Sequence, residues 1–205
     1  MNKTIYIFIN GILNMPSDTD AWTDRAVTWV HIHTGMHAEK YEYFSPVMLR
    51  RFRQQDRAET LARMIKYYHD WDVVMVAHSN GCDVVMRTLA ILKDKNMKEL
   101  HFIAPACSRQ VLYQMRLLVD TERLEKFQIF LGGKDRAMKW AAWSQKILGP
   151  FGIGYGDLGG EDPVMVGKII GEENVIFEPQ FDHSTWFEKA HFEGTMKKLV
   201  GATDK

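Results

Sequence analysis

Apolar residues follow two patterns along this chain, short unbroken runs and stripes recurring every three to four positions, and the two patterns alternate. Residues 4–9 (TIYIFI), 73–77 (VVMVA), 100–104 (LHFIA) and 127–131 (FQIFL) are β-branched or aromatic with few polar interruptions, the signature of strands covered on both faces. Residues 40–44 (KYEYF) and 175–177 (VIF) read as two further strands. Between these runs lie the stripes Trp22, Ala26, Trp29 and Val30; Leu61, Met64, Ile65 and Tyr68; Val85, Leu89 and Leu92; Val111, Met115, Leu118 and Val119; and Phe192, Met196, Leu199 and Val200. Each predicts a helix with one buried face. The first should start at Asp18 or Thr19 and stop before Gly35, and the second should cover about residues 51–69.

Strand and helix in alternation predict parallel strands joined by right-handed helical crossovers, so the expected architecture is a doubly wound α/β sheet. With 205 residues, 46% of them hydrophobic, one domain over residues 1–205 is expected.

Charge narrows the possible partners. Lys+Arg and Asp+Glu both count 26 without long blocks of either sign, which argues against nucleic acid. Lys134, Arg136, Lys197 and Lys198 lack the aromatic interleaving that suits nucleic acid and read as surface charges. The apolar runs fall short of a membrane span, and the first residues fall short of a secretory h-region, so a cytoplasmic protein is expected. Cys82 and Cys107, the two cysteines, are too few for a disulfide framework and read as reduced core residues.

The most informative stretch is AHSNG, Ala77 to Gly81, directly after the purest apolar run and directly before a helical stripe. A sharp strand-to-helix turn there would lift the Ser79 hydroxyl above the sheet, and it needs small residues two before and two after the serine. Ala77 and Gly81 meet that need, although a serine in this position can also simply cap the helix.

This pentapeptide in its context resembles the nucleophile elbow of the α/β-hydrolase family, with alanine at the first position where glycine is usual. The resemblance implies a minimal six-stranded, mostly or wholly parallel sheet that starts at the family's oxyanion strand. It places the acid at Asp135, after FQIFLGG, and the base at His183 in FDHS, ahead of the last helix. It further implies an oxyanion hole from the backbone N–H groups of Asn80 and of Ile12, in INGIL, with Gly11 allowing the turn. Asn10 stands where many relatives carry histidine. The stretches KDRAMKW and YGDLGG are also similar to small hydrolase-like proteins of bacteria and phages.

Ser79, Asp135 and His183 would then act as nucleophile, orienting acid and base on a small acyl substrate, with no metal or other cofactor. A carboxylesterase is the expectation, with thioesterase, amidase and a non-catalytic binding protein of the same fold as alternatives. Asp157 and Asp182 are the competing acids. Residues 149–160, rich in glycine, read either as a connector or as a loop covering the site. Trp140, Trp143 and Trp186 are candidates to line an acyl pocket. His31, His33 and His37 are spaced suggestively for a metal, but Gly35 between them should end the helix.

Overall fold

The computed structural model describes residues 3–11, 21–43, 53–93, 95–140, 143, 156 and 158–201. Six strands form one sheet: β1 (Thr4–Ile9), β2 (His37–Tyr41), β3 (Asp72–His78), β4 (Met97–Ile103), β5 (Leu124–Gly132) and β6 (Val175–Glu178). Their order is β2-β1-β3-β4-β5-β6, and every neighbouring pair is parallel. The sheet therefore has the doubly wound α/β form, with β3 and β4 at its centre.

The unbroken apolar runs have a direct physical origin. Successive strand residues point to opposite faces. Ile5, Ile7 and Ile9 of β1 and Val73, Met75 and Ala77 of β3 enter the core on one face. Tyr6 and Phe8, with Val74 and Val76, enter the core on the other. Each face is covered: α2 (Gln54–Tyr67), α3 (Gly81–Ile91), α4 (Gln110–Asp120) and α6 (Pro163–Ile170) supply the first core. On the second face lie α1 (Trp22–Thr34) and α7 (Lys189–Val200). A further helix, α5, is described at residues 136–140 and 143.

Two readings are corrected. Strand β2 begins at His37 rather than residue 40, because it is an edge strand whose partly exposed pattern tolerates His37, Glu39 and Lys40. Helix α6 was not anticipated, although Asp162 caps it through Val164 N–H, at 2.9 Å, and Pro163 opens it. The expected start of α1 at Asp18 or Thr19 lies outside the described residues; Trp22 is its first described helical residue. Gly35 ends that helix in the left-handed conformation, with φ 66°.

Candidate active site

Strand β3 runs into a turn at Ser79 whose φ is 53°, a conformation that costs a residue with a Cβ roughly 1–2 kcal/mol. It persists because the surroundings hold it. Ser79 N–H donates to Ile103 O at 3.0 Å, and Ser79 O accepts from Cys82 and Ala106 N–H at 3.2 and 3.1 Å. The glycines on either side of this turn are dictated by close approach. A Cβ on Gly81 would lie 2.5 Å from Asn10 O, and one on Gly11 would lie 2.9 Å from Ser79 Cβ. The end of β1 thus presses against the serine turn, and Ala77, fully buried, pairs between Ile9 and Phe102.

Ser79 does not act as a helix cap: Asn80 holds the cap position, and the Ser79 hydroxyl has no hydrogen-bond partner among the described residues. Asn80 is buried with its amide donating to Tyr43 Oη and its Oδ1 accepting from Gln54 Nε2, both at 3.1 Å. Its backbone N–H meets no acceptor among the described residues and lies at the positive end of α3.

Asp135 and His183 lie on two turns that glycine lets approach. A Cβ on Gly132 would fall 2.5 Å from Phe181 O, and one on Gly133 would fall 2.6 Å from Pro179 O. Lys134 N–H then donates to Phe181 O at 2.9 Å, which places Asp135 beside His183. Asp135 is fully buried, and each of its oxygens has a task. Oδ1 accepts from Met138 N–H at 3.0 Å, capping α5, while Oδ2 lies 2.9 Å from His183 Nδ1. A carboxylate only accepts, so Nδ1 is the donor in this bond, and in a neutral imidazole Nε2 is then the acceptor. His183 is 22% exposed, so the ring reaches solvent from a buried carboxylate. No hydrogen bond joins Ser79 to His183.

Asp182 has a different job from Asp135. Its Oδ1 accepts from the N–H and hydroxyl groups of both Ser184 and Thr185, folding the turn that carries His183. Burial pushes the Asp182 pKa up, but these hydrogen bonds outweigh it and hold the carboxyl below its ordinary value. The other competing acid, Asp157, lies outside the described residues, as does Ile12.

One neighbour of the site carries no signal in the sequence: His78, the residue just before the serine of AHSNG. Its Nε2 lies 3.0 Å from His183 O, and its ring packs against those of His183, Phe187 and Trp22. Burial, and secondarily the nearby His183, push its pKa down to about 3.

Trp186 does not line a pocket. It is fully buried beneath the His183 turn, edge-on to Phe130 and Phe181. Trp140 and Trp143 are 53% and 59% exposed on α5. A cleft of about 350 Å³ lies between the turns that carry Asp135 and His183, with Lys134, Arg136, Gln180 and His183 among its walls.

Of residues 149–160, only Gly156 and residues 158–160 are described. They are anchored next to the serine turn: Gly159 N–H donates to Pro105 O at 2.8 Å, and Leu158 N–H to Cys107 O at 3.3 Å. His33 stacks on Trp29 and His37 pairs with Glu39, and the described residues contain no group of three side chains suited to a metal. Cys82 and Cys107 are buried thiols not joined by a disulfide. No described helix is long and apolar enough to cross a membrane.

No protein-family model and no curated protein matches the sequence. Solved structures do match. A protein from Agrobacterium vitis assigned by its name to the hydrolases aligns with a TM-score of 0.60 at 12% identity, over 97% of this chain and 87% of its own. Mouse alpha/beta hydrolase domain-containing protein 10 aligns with a TM-score of 0.59 at 16% identity, over 96% of this chain and 88% of its own. An extracellular alpha/beta-hydrolase from a Paenibacillus species aligns with a TM-score of 0.56 at 12% identity, over 95% of this chain and 98% of its own. Identities this low speak to fold alone, and the parallel six-stranded sheet with its flanking helices matches the minimal alpha/beta-hydrolase fold.

Proposed function

We propose that the chain is a serine hydrolase that cleaves a small carboxylic ester through an acyl-enzyme on Ser79. The observation that carries this reading is the Asp135 Oδ2 to His183 Nδ1 contact of 2.9 Å, on the same end of the sheet as a serine held at φ 53°. The hydrolase names of the structural neighbours point the same way.

In this reading Ser79 Oγ attacks the carbonyl carbon while His183 Nε2 takes the hydroxyl proton. Asp135, buried against the ring, fixes the imidazole tautomer and stabilises the imidazolium. The oxyanion would meet the uncommitted Asn80 N–H and the N–H of Ile12. Collapse breaks the ester C–O bond, and the departing alcohol takes the proton from His183. Water then attacks the acyl-Ser79, gives its proton to His183, and releases the acid as the proton returns to Ser79. The chemistry draws on side chains and backbone donors, so it calls for no cofactor. Thioesters and amides suit the same groups, and a small-molecule substrate and cytoplasmic location belong to the same proposal.

The test is turnover of short p-nitrophenyl esters by wild type and Ser79→Ala. Turnover lost in a folded Ser79→Ala variant supports the reading; a folded wild type without turnover on these or on matched thioesters and amides contradicts it.

A further inference from the structure

His78 stands at a position that the nucleophile motif leaves open, since the motif specifies only the small residues and the serine. Here its side chain spans the parts of the site. The backbone of His78 is bonded to Ser79, so its Cα moves with the nucleophile. Its Nε2 reaches His183 O at 3.0 Å, across 105 residues of sequence. A carbonyl oxygen only accepts, so His78 Nε2 carries the proton and donates. Its Nδ1 faces the close passage of the β1 loop, 3.3 Å from where a Cβ on Gly11 would sit.

The ring is held on three sides. Phe187 meets it edge-on at 5.0 Å between centroids, Trp22 does so at 6.2 Å, and the His183 ring lies tilted at 4.8 Å. Trp22 and Phe187 stack on one another at 4.1 Å, and Arg25 Nη2 donates to Phe187 O at 2.6 Å, so this wall is tied to α1. The base turn is thereby held from both sides, by Asp135 at the imidazole and by His78 at the backbone of the same residue.

We infer that His78 is a positioning residue that fixes the distance between Ser79 and His183 by donating a hydrogen bond from the nucleophile turn to the backbone of the base. This rests on the serine-hydrolase reading for its effect on rate, whereas its effect on His183 placement does not need turnover. The depressed pKa of His78 keeps this donor neutral across the range in which an imidazole base works.

The experiment compares His78→Phe, which keeps a ring against Trp22 and Phe187 but removes the donor, with His78→Gln, which keeps an N–H donor. Turnover is read as kcat and KM separately, and the His183 Nδ1 proton, hydrogen-bonded to Asp135, is followed by its low-field proton resonance. His78→Phe should lower kcat by about 10–100-fold, the scale of a small misplacement of a reacting group, with KM little changed. Its low-field resonance should broaden or vanish, and His78→Gln should recover much of both. Wild-type kcat and resonance in His78→Phe would overturn the inference, as would equal losses in the two variants. If wild type turns over no acyl substrate, the hydrolase reading fails by itself, and the resonance in His78→Phe still decides whether His78 holds the base turn.

Discussion

Asp135 serves two elements with one carboxylate: Oδ1 caps the helix that follows it through Met138 N–H, and Oδ2 accepts a hydrogen bond from His183 Nδ1. Asparagine can keep the cap acceptor but its amide cannot hold the imidazole tautomer as an anion does. Asp135→Asn should therefore leave stability near wild type and lower kcat by about 10³–10⁴-fold. Asp135→Ala should add a loss of about 1 kcal/mol in urea unfolding from the missing cap.

Asp182 gives the contrasting case. Its work is done by one oxygen accepting from Ser184 and Thr185, which an asparagine Oδ1 can also do. Asp182→Asn should retain most of the wild-type kcat, measured beside Asp135→Asn on the same ester. An equal collapse of both variants would move the acid role away from Asp135.

Glycines separate by what surrounds them. Gly81→Ala would drive a methyl group to 2.5 Å from Asn10 O and should destabilise by about 1–3 kcal/mol while distorting the serine turn. Gly194→Ala, in α7 with nothing within 4 Å of the new methyl group, should stabilise by about 0.5–1 kcal/mol. Urea midpoints of the two variants check both signs.

Acid should weaken the fold through its buried histidines. Burial holds His78 down to about 3 and lowers His101 from its ordinary value, with the Glu99 contact acting against that shift in His101. The unfolded chain then binds more protons than the native one below the ordinary histidine value near 6.5, so stability falls as pH drops from there toward about 3. The slope of urea midpoint against pH should be shallower in His78→Phe, whose ring does not titrate. An unchanged slope would mean that His78 titrates alike in both states.

The strands were legible where burial on both faces left nothing polar to confuse the pattern, as in residues 73–77. Edge position hid where β2 starts, because its half-exposed first residues, with His37, Glu39 and Lys40 among them, form no apolar run. Ser79 could be read because its turn imposes local demands on Ala77 and Gly81, whose neighbours are now visible as Asn10 O and Ile9. The roles of Gly132 and Gly133 could not be read locally, since the atoms that require them belong to Phe181 and Pro179. Trp186 and His78 were missed for a related reason: whether an aromatic ring lines a pocket, fills a core or bridges two turns depends on partners distant in sequence.

An activated Ser79 nucleophile would react covalently with a fluorophosphonate, and intact-mass measurement after exposure reads that reaction. Wild type should gain the mass of one phosphonyl group, and Ser79→Ala and His183→Ala should gain none at the same exposure. A folded wild type that stays unmodified, or a Ser79→Ala variant labelled as fast as wild type, would contradict the account.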